Sequence, residues 1–470
     1  MSPLLYGVLV WVLLQFAIGA YVSRRVATED DYFVAGRKLG PILATATIFA
    51  TWFGAETCLG AAGQVYANGL SLTQAEPFAY GACLILSGLF FALPLWRRKL
   101  ITLADLFAQR FGNGVAKLAA VLMIPTSLFW AAAQVRGFGA VLAETGGLDP
   151  QIGIAIAAIV VISYTAFGGM LADVWTDLIQ GIALVAGLVA VGVAVAMREG
   201  GADAALQAGA AARGASASAD LFGIGLCEEW AIPILGSVVA QELVARMSAA
   251  RSGSIAQGAT MVGGLLYLAV GCIPVFLGLV GAGLVPELAD PEGVLPALAK
   301  QELPPWLYIV FAGALVSAIL STVDSNLLVC SSLLSHNLVF PLLERHQGHL
   351  SERHKVRYAR LGVAVFGTAA WLLAVNADGV FALVEQASAF GSSGIFIAVV
   401  FGLYTRFGGA HSAVFALVSG TLVYVYGTWA EWETPYLASL AAAFAGYVVL
   451  ALVWPYGHIG PTTPAEPTQP

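Results

Sequence analysis

Apolar runs long enough to cross a bilayer as a helix, about 20 residues each, recur along almost the whole of this 470-residue chain. They lie at Leu4–Val22, Pro41–Tyr66, Leu72–Trp96, Ala119–Leu142, Ile152–Phe167, Leu171–Met197, Leu221–Val244, Ala259–Leu284, Leu307–Leu334, Leu361–Val375, Val380–Leu403, Ala413–Tyr426 and Leu437–Trp454. In hydrocarbon a helix satisfies its backbone N–H and C=O groups within its own segment. The expectation is therefore an all-α membrane protein of thirteen transmembrane helices. Only 10% of the residues are charged and 59% are hydrophobic, which a soluble domain does not tolerate. One polytopic transmembrane domain is expected over residues 1–460, followed by a disordered tail, 461–470, with almost nothing apolar to bury.

An odd number of spans puts the two termini on opposite sides. Short cytoplasmic loops collect Lys and Arg. With the N-terminus outside and the C-terminus in the cytoplasm, all but Arg136, Arg198, Arg213 and Lys300 of the 21 basic residues fall on the cytoplasmic side. The expected location is the cell membrane, the inner one where there are two. The first run lacks a basic segment before it and is followed by Arg24 and Arg25, so it reads as a retained helix rather than a signal peptide.

Several function classes drop out. No basic patch with interleaved aromatic residues invites nucleic acid. The five cysteines, Cys58, Cys83, Cys227, Cys272 and Cys330, sit in apolar spans without a CxxC pair, so neither a disulfide framework nor a zinc site is expected. His346, His349 and His354 belong to a basic solvated segment, and 200–220 reads as an Ala/Gly/Ser-rich loop. No nucleophile, base and orienting group come together, which argues against an enzyme. The partners expected are membrane lipids, an ion and a small solute.

Two spans carry interruptions. Gly54 lies within FATWFGAETCLGAAG beside Glu56, and Pro233 and Gly236 interrupt GLCEEWAIPILGSVVAQELVAR, which also carries Glu242. Broken helices in corresponding positions of two halves point to a transport site near the midplane. The second to sixth and the seventh to eleventh spans would then form two five-helix repeats of opposite orientation. A third feature is SAILSTVDSNLLVCSS, in which Ser317, Ser321, Asp324, Ser325 and Ser332 share one helical face. Such a face can be a cation path, and it can equally hold packed helices together by hydrogen bonds.

DYFVAGRKLGP, YTAFGGMLADVWTDLIQG at 164–181 and SAILSTVDSNLLVCSS together resemble the sodium:solute symporter family over about Asp31 to Arg406. The resemblance implies a LeuT-type fold: a 5+5 inverted-repeat core over 41–405, one helix before it and two after. It also implies a sodium site built from the carbonyls of Ala50, Phe53 and Ala318 and the hydroxyls of Ser321 and Thr322. Within the family, Ala50–Ala92 and FWAAA at 129–133 look most like the high-affinity choline transporters. By that likeness Trp52, Tyr80 and Trp130 would cage a quaternary ammonium through their ring faces. Ala240, followed by Gln241 and Glu242, stands where those transporters place a Trp. A bulkier amine, or a zwitterion held by Gln241 or Glu242, suits that change.

Other intramembrane charges have two readings each. Arg136 binds a substrate carboxylate or pairs with Glu56, Glu76 or Glu242. Glu228 and Glu229 are expected near the outer mouth as solvated charges, and Asp173 and Asp177 near the cytoplasmic end of the sixth span, as gate or junction residues or as interfacial ones. Gly54, Gly236 and Asp324 are the coupling or gating candidates. The function expected is sodium-coupled import of a small organic solute by alternating access, the solute being a quaternary amine or a zwitterion. The alternatives are a sodium symporter for an amino acid, carboxylate or vitamin, and a solute sensor, the latter disfavoured because no signalling domain follows Gly460.

Overall fold

The computed structural model describes residues 26–71, 76–213, 224–286, 288, 290–377 and 379–454, with the isolated positions 10, 13, 17 and 21. The rest of the expected Leu4–Val22 span, and the tail 461–470, lie outside the described residues. What is described is helical: α1 (Glu29–Val34), α2 (Pro41–Trp52), α3 (Glu56–Asn68), α4 (Phe78–Arg97), α5 (Leu103–Phe111), α6 (Asn113–Gly146), α7 (Pro150–Arg198), α8 (Ala202–Arg213) and α9 (Ile224–Ser237). The second half continues with α10 (Gln241–Ala249), α11 (Gly253–Leu284), α12 (Val294–Glu302), α13 (Pro305–Leu334), α14 (Glu352–Asn376), α15 (Val380–Ala389), α16 (Ser392–Tyr404), α17 (Ala410–Trp429) and α18 (Pro435–Val453). Among the described residues, nine helices are long and apolar enough to cross a membrane, or ten if α2 and α3, bent by 54° at their junction, count as one. The thirteen expected from hydropathy are thus not all found there.

The differences have physical causes. The expected fifth and sixth spans run on as α7, turned at Gly169, whose φ of 62° only glycine adopts freely and whose missing side chain lets the Tyr32 ring pack against it. In the seventh span Pro233 and Gly236 stay inside α9, and the break falls later, at Val238–Ala240. Gly236 serves packing instead: a Cβ there would stand 2.2 Å from the Ser388 carbonyl. The expected eleventh span is also interrupted, at Phe390 and Gly391. Part of the expected 200–220 loop is the helix α8, built from alanines with high helix propensity.

Helix α13 is the axis of the molecule. It packs on α2, α6, α7 and α14, and 76% of its most apolar window is buried, against 33% for α18 at the periphery. Side chains such as Ile182, Leu361 and Leu452 are at least 60% exposed, as on a surface that meets lipid.

The end of the bundle that carries most of the basic residues is tied shut. Leu39, just before α2, pairs with the strand-like end of α10: Leu39 N–H donates to Ala249 O at 3.0 Å and Arg251 N–H to Leu39 O at 3.0 Å. Trp96 Nε1 donates to Ala250 O at 2.8 Å. Helix α1, started by a Thr28/Asp31 capping box, aims Glu29 at His336 (2.5 Å) and Lys355 (3.3 Å). His336 reaches Asp105 on its other side at 3.2 Å, and Asp105 also accepts the N–H groups of Ile101 and Thr102 at the start of α5. Burial alone would raise both carboxyls, but the His336 hydrogen bonds and charge, with Lys355 at Glu29 and the backbone N–H groups at Asp105, hold them below their ordinary values.

A carboxyl held low contributes stability that is present above its unfolded pKa and lost as the pH falls through its folded value. Glu29→Gln should therefore cost about 1–3 kcal/mol near neutral pH. Thermal unfolding of the purified variant and the parent between pH 7 and pH 3.5 should show that difference shrinking towards the acid end. A constant gap across the range would assign the loss to packing rather than charge.

Candidate functional site

The site grows from the break between α2 and α3. In an unbroken helix Gly54 N–H would donate to Ala50 O and Ala55 N–H to Thr51 O. Here Gly54 N–H turns to Glu56 Oε1 (3.3 Å) and Ala55 N–H to Gln134 Oε1 of α6 (2.8 Å). Gln134 Nε2 in turn donates to Glu56 Oε2 at 2.5 Å. Glycine is needed at 54 because a Cβ would lie 2.5 Å from Gln134 Oε1 and 2.8 Å from both Glu56 Oε2 and Thr322 Oγ1.

The carbonyl of Ala50, released by the helix, accepts Thr322 Oγ1 of α13 at 3.2 Å, and Thr322 Oγ1 also lies 3.4 Å from Ala318 O. Ligand oxygens about 2.4 Å from a hard cation stand about 3.4 Å apart at neighbouring corners of an octahedron. Thr322 Oγ1 lies at about that spacing from each of the two carbonyl oxygens. Ser321, the neighbouring hydroxyl, donates to Asp177 of α7, whose other oxygen accepts Thr47 of α2 at 2.5 Å.

Asp173 and Asp177 are at most 1% exposed, not interfacial as the sequence suggested. Asp324 accepts from Thr165 on α7. Arg246 is also buried, although its sequence position suggested a basic loop: it donates to Thr51 Oγ1 at 2.9 Å and to Asp173 and Ser325. Three carboxylates and one guanidinium share this region, a balance that favours a cation over an anion. Among the described residues no three His, Cys, Asp or Glu side chains converge as a metal cluster, so a cation here would rely on carbonyls and hydroxyls.

On the other side of the break, Trp52, Tyr80 and Trp130 come together from three helices. Their ring centroids are 5.7–5.8 Å apart, with Tyr80 edge-on to both indoles. Tyr80 Oη is 2.6 Å from Ser388 Oγ, and both indole N–H groups are buried without a partner. Beside Trp130, at the break between α9 and α10, is a cavity of about 30 Å³ lined by Thr126, Ser237, Glu242 and Ser392 among others. A second small cavity, bordered by Arg246, Ser325 and Phe33, also has Glu242 in its wall. A much wider groove of about 700 Å³ opens between α2, α7 and α11, but its walls are Ile42, Phe49, Ile182 and Leu266, a lipid-facing surface rather than a solute site.

Other expected site residues lie elsewhere or have other work. Gln241 accepts Leu103 N–H and so caps α5. Arg136 donates to Ala374 O at 3.2 Å, and the α6 residue that meets Glu56 is Gln134. Glu76 bonds Thr57 (2.7 Å) and Tyr267. Glu228, expected as a solvated charge, is buried and caps α18 through Tyr436 N–H (2.6 Å) and Leu437 N–H (2.8 Å). Gln134, Thr47 and Arg246 were missed by sequence reasoning; the first two signal themselves only as polar residues inside apolar spans, and Arg246, just past the seventh span, reads as a loop charge.

The family profile described as the sodium:solute symporter family matches residues 32–420. The chain is 26% identical over 448 residues to a human protein named high affinity choline transporter 1, covering 90% of this chain and 76% of that one. The nematode (Caenorhabditis elegans) protein of the same name is 25% identical, and the chain spans 65% of its length. A Staphylococcus aureus sodium/proline symporter is 28% identical, over 94% of this chain and 88% of that protein. Among solved structures, a Na+-coupled sialic acid symporter in a substrate-bound outward-open state superposes with a TM-score of 0.84 at 18% identity, covering 96% of this chain and 98% of that one. It shares the fold.

Gly54→Ala should cost about 2 kcal/mol through overpacking and blunt the stabilisation given by sodium. Gly258→Ala, where an added Cβ meets nothing within 4 Å, is the matched control. Thermal unfolding in sodium and in potassium chloride would read both; equal behaviour of the two variants would remove Gly54 from the site.

Proposed function

The chain belongs to the sodium:solute symporter family, and from that premise we propose that it couples inward sodium movement to import of a small organic solute with a cationic group, a quaternary amine or a zwitterion. It is a transporter and not an enzyme. The sodium ion is a co-substrate, held in this reading by the carbonyls of Ala50, Phe53 and Ala318 and the hydroxyls of Ser321 and Thr322. The observation that carries it is the approach of Thr322 Oγ1 to Ala50 O and Ala318 O at 3.2 and 3.4 Å. A cation there ties α2 to α13 across the break, and its departure lets them separate.

Alternating access then follows from one ion holding two elements. The membrane potential contributes about 2.3 kcal/mol per 100 mV for each charge moved inward, besides the chemical gradient. Coupling requires that sodium and solute bind one state better together than apart. Trp52 lies two residues from Ala50, and its ring packs on Tyr80 and Trp130 at 5.7–5.8 Å, which supports a solute site next to the proposed sodium oxygens. The names of the relatives, choline and proline transporters, bracket the solute class without fixing it.

The finer architecture in this reading is thirteen helices with a 5+5 inverted-repeat core over 41–405, one helix before it and two after. The basic end of the bundle is cytoplasmic and the N-terminus outside. The domain reading, a single transmembrane unit over 1–460, is part of the same proposal.

Ser321→Ala and Thr322→Ala should each raise the sodium concentration for half-maximal uptake about tenfold, the equivalent of one lost ligand at about 1.4 kcal/mol. Uptake of labelled amines, betaines, amino acids and carboxylates into proteoliposomes, with an imposed sodium or potassium gradient, measures this. Uptake indifferent to sodium would overturn the symporter reading. Trp52→Ala should weaken a cationic solute more than a neutral one by about 0.5–2 kcal/mol; equal losses would make the ring a packing residue.

A further inference from the structure

Three of the hydroxyls that line the cavity beside Trp130 have committed their hydrogens. Thr126 donates its hydroxyl hydrogen to Phe390 O at 3.0 Å, and Ser392 donates to Ser388 O at 2.7 Å. Ser237 donates to Ser388 Oγ at 3.3 Å. With their hydrogens committed to neighbours, these hydroxyls have only lone pairs left for a ligand. Glu242 adds a carboxylate on the same wall, 5% exposed, with no salt bridge or hydrogen bond from another side chain among the described residues. The guanidinium one turn away, Arg246, is engaged by Asp173, Ser325 and Thr51. Hydroxyl lone pairs beside a carboxylate that has no ion pair of its own among the described residues suit a positively charged donor.

Two further observations narrow the cation. The aromatic rings that would cage a methylated ammonium are packed on one another at 5.7–5.8 Å between centroids, edges turned to faces. The cavity, at about 30 Å³, holds groups of about the size of water, such as an ammonium head. The unpartnered indole N–H of Trp130, on the cavity wall, is a buried donor that an oxygen of the solute would satisfy.

We infer that the solute is a small protonated primary or secondary amine with a hydroxyl, and that Glu242 is the residue that selects its ammonium. The inference rests on the symporter reading and keeps its cationic group, but replaces the quaternary amine and the zwitterion named there with an amine that carries N–H donors. Glu242 borders both small cavities, so the same carboxylate faces the solute on either side of the break between α9 and α10.

The test uses the full chain in proteoliposomes, with 2-aminoethanol, its N-trimethylated counterpart and glycine as labelled solutes. In sodium, 2-aminoethanol should bind and enter with an affinity at least about tenfold above the trimethylated compound, because a site built of acceptors rejects an analogue without donors. Glu242→Gln should lower that affinity about tenfold or more, and Glu242→Asp should retain part of it. Equal or tighter binding of the trimethylated compound or glycine by the parent protein overturns the inference, a result that needs no variant to fold. So does full affinity in Glu242→Gln. Sodium-driven uptake of glycine alone would sink the amine selection and leave the symporter standing. Glu242-dependent uptake of 2-aminoethanol without sodium would do the reverse.

Discussion

A backbone group that loses its helical partner inside hydrocarbon must find another, and the interruption at Phe53–Ala55 is where this chain meets that demand. The amides of Gly54 and Ala55 are taken by Glu56 and Gln134, while the carbonyl of Ala50 is taken by Thr322. Each replacement partner comes from a different part of the sequence. The break therefore fixes the approach of α2 to α6 and α13 and explains why α13 lies at the centre. Gly54 is the condition for it, since three polar atoms stand where a side chain would be.

Around that break the polar groups sort by helix. Hydroxyls of α2 and α13 turn to carboxylates of α7, and Arg246 of α10 threads between Thr51, Asp173 and Ser325. Removing one member of such a network leaves a buried charge unpaired, which costs far more than the pair contributes. The same links join α2, α7, α10 and α13, the helices a moving cation would have to release. Closure of the basic end by the Leu39–Ala250 pairing, and by Glu29, His336 and Asp105, acts on the flanks of these same helices.

The two broken helices are opened by different means. Between α2 and α3, glycine permits the approach of foreign side chains. Between α9 and α10, Ala240 adopts an extended backbone (φ −56°, ψ 141°), and Gly236 is spent on contact with Ser388. Ala240 brings no ring to this wall, and Trp130 borders a cavity edged by Glu242.

Much of this was legible in the residues themselves. Apolar runs fixed an all-helical membrane protein, because hydrocarbon tolerates few alternatives, and Gly54 marked the first break because glycine is so exposed in an apolar helix. The hydroxyl stripe of α13 marked the face that meets α7, through Ser321 to Asp177, Thr165 to Asp324 and Ser325 to Asp173. Pro233 misled, because a proline costs a helix only a hydrogen bond that neighbouring groups can replace, and the true break lies five residues later. Asp173, Asp177, Gln134 and Arg246 read as scattered polar residues because their partners lie between 73 and 195 residues away, beyond any periodicity. Sequence alone determined which segments enter the membrane, through the cost of exposing backbone and charge to lipid. Tertiary structure alone decided which buried charges face one another, because a side chain's partner is set by helix packing and not by its place in the chain.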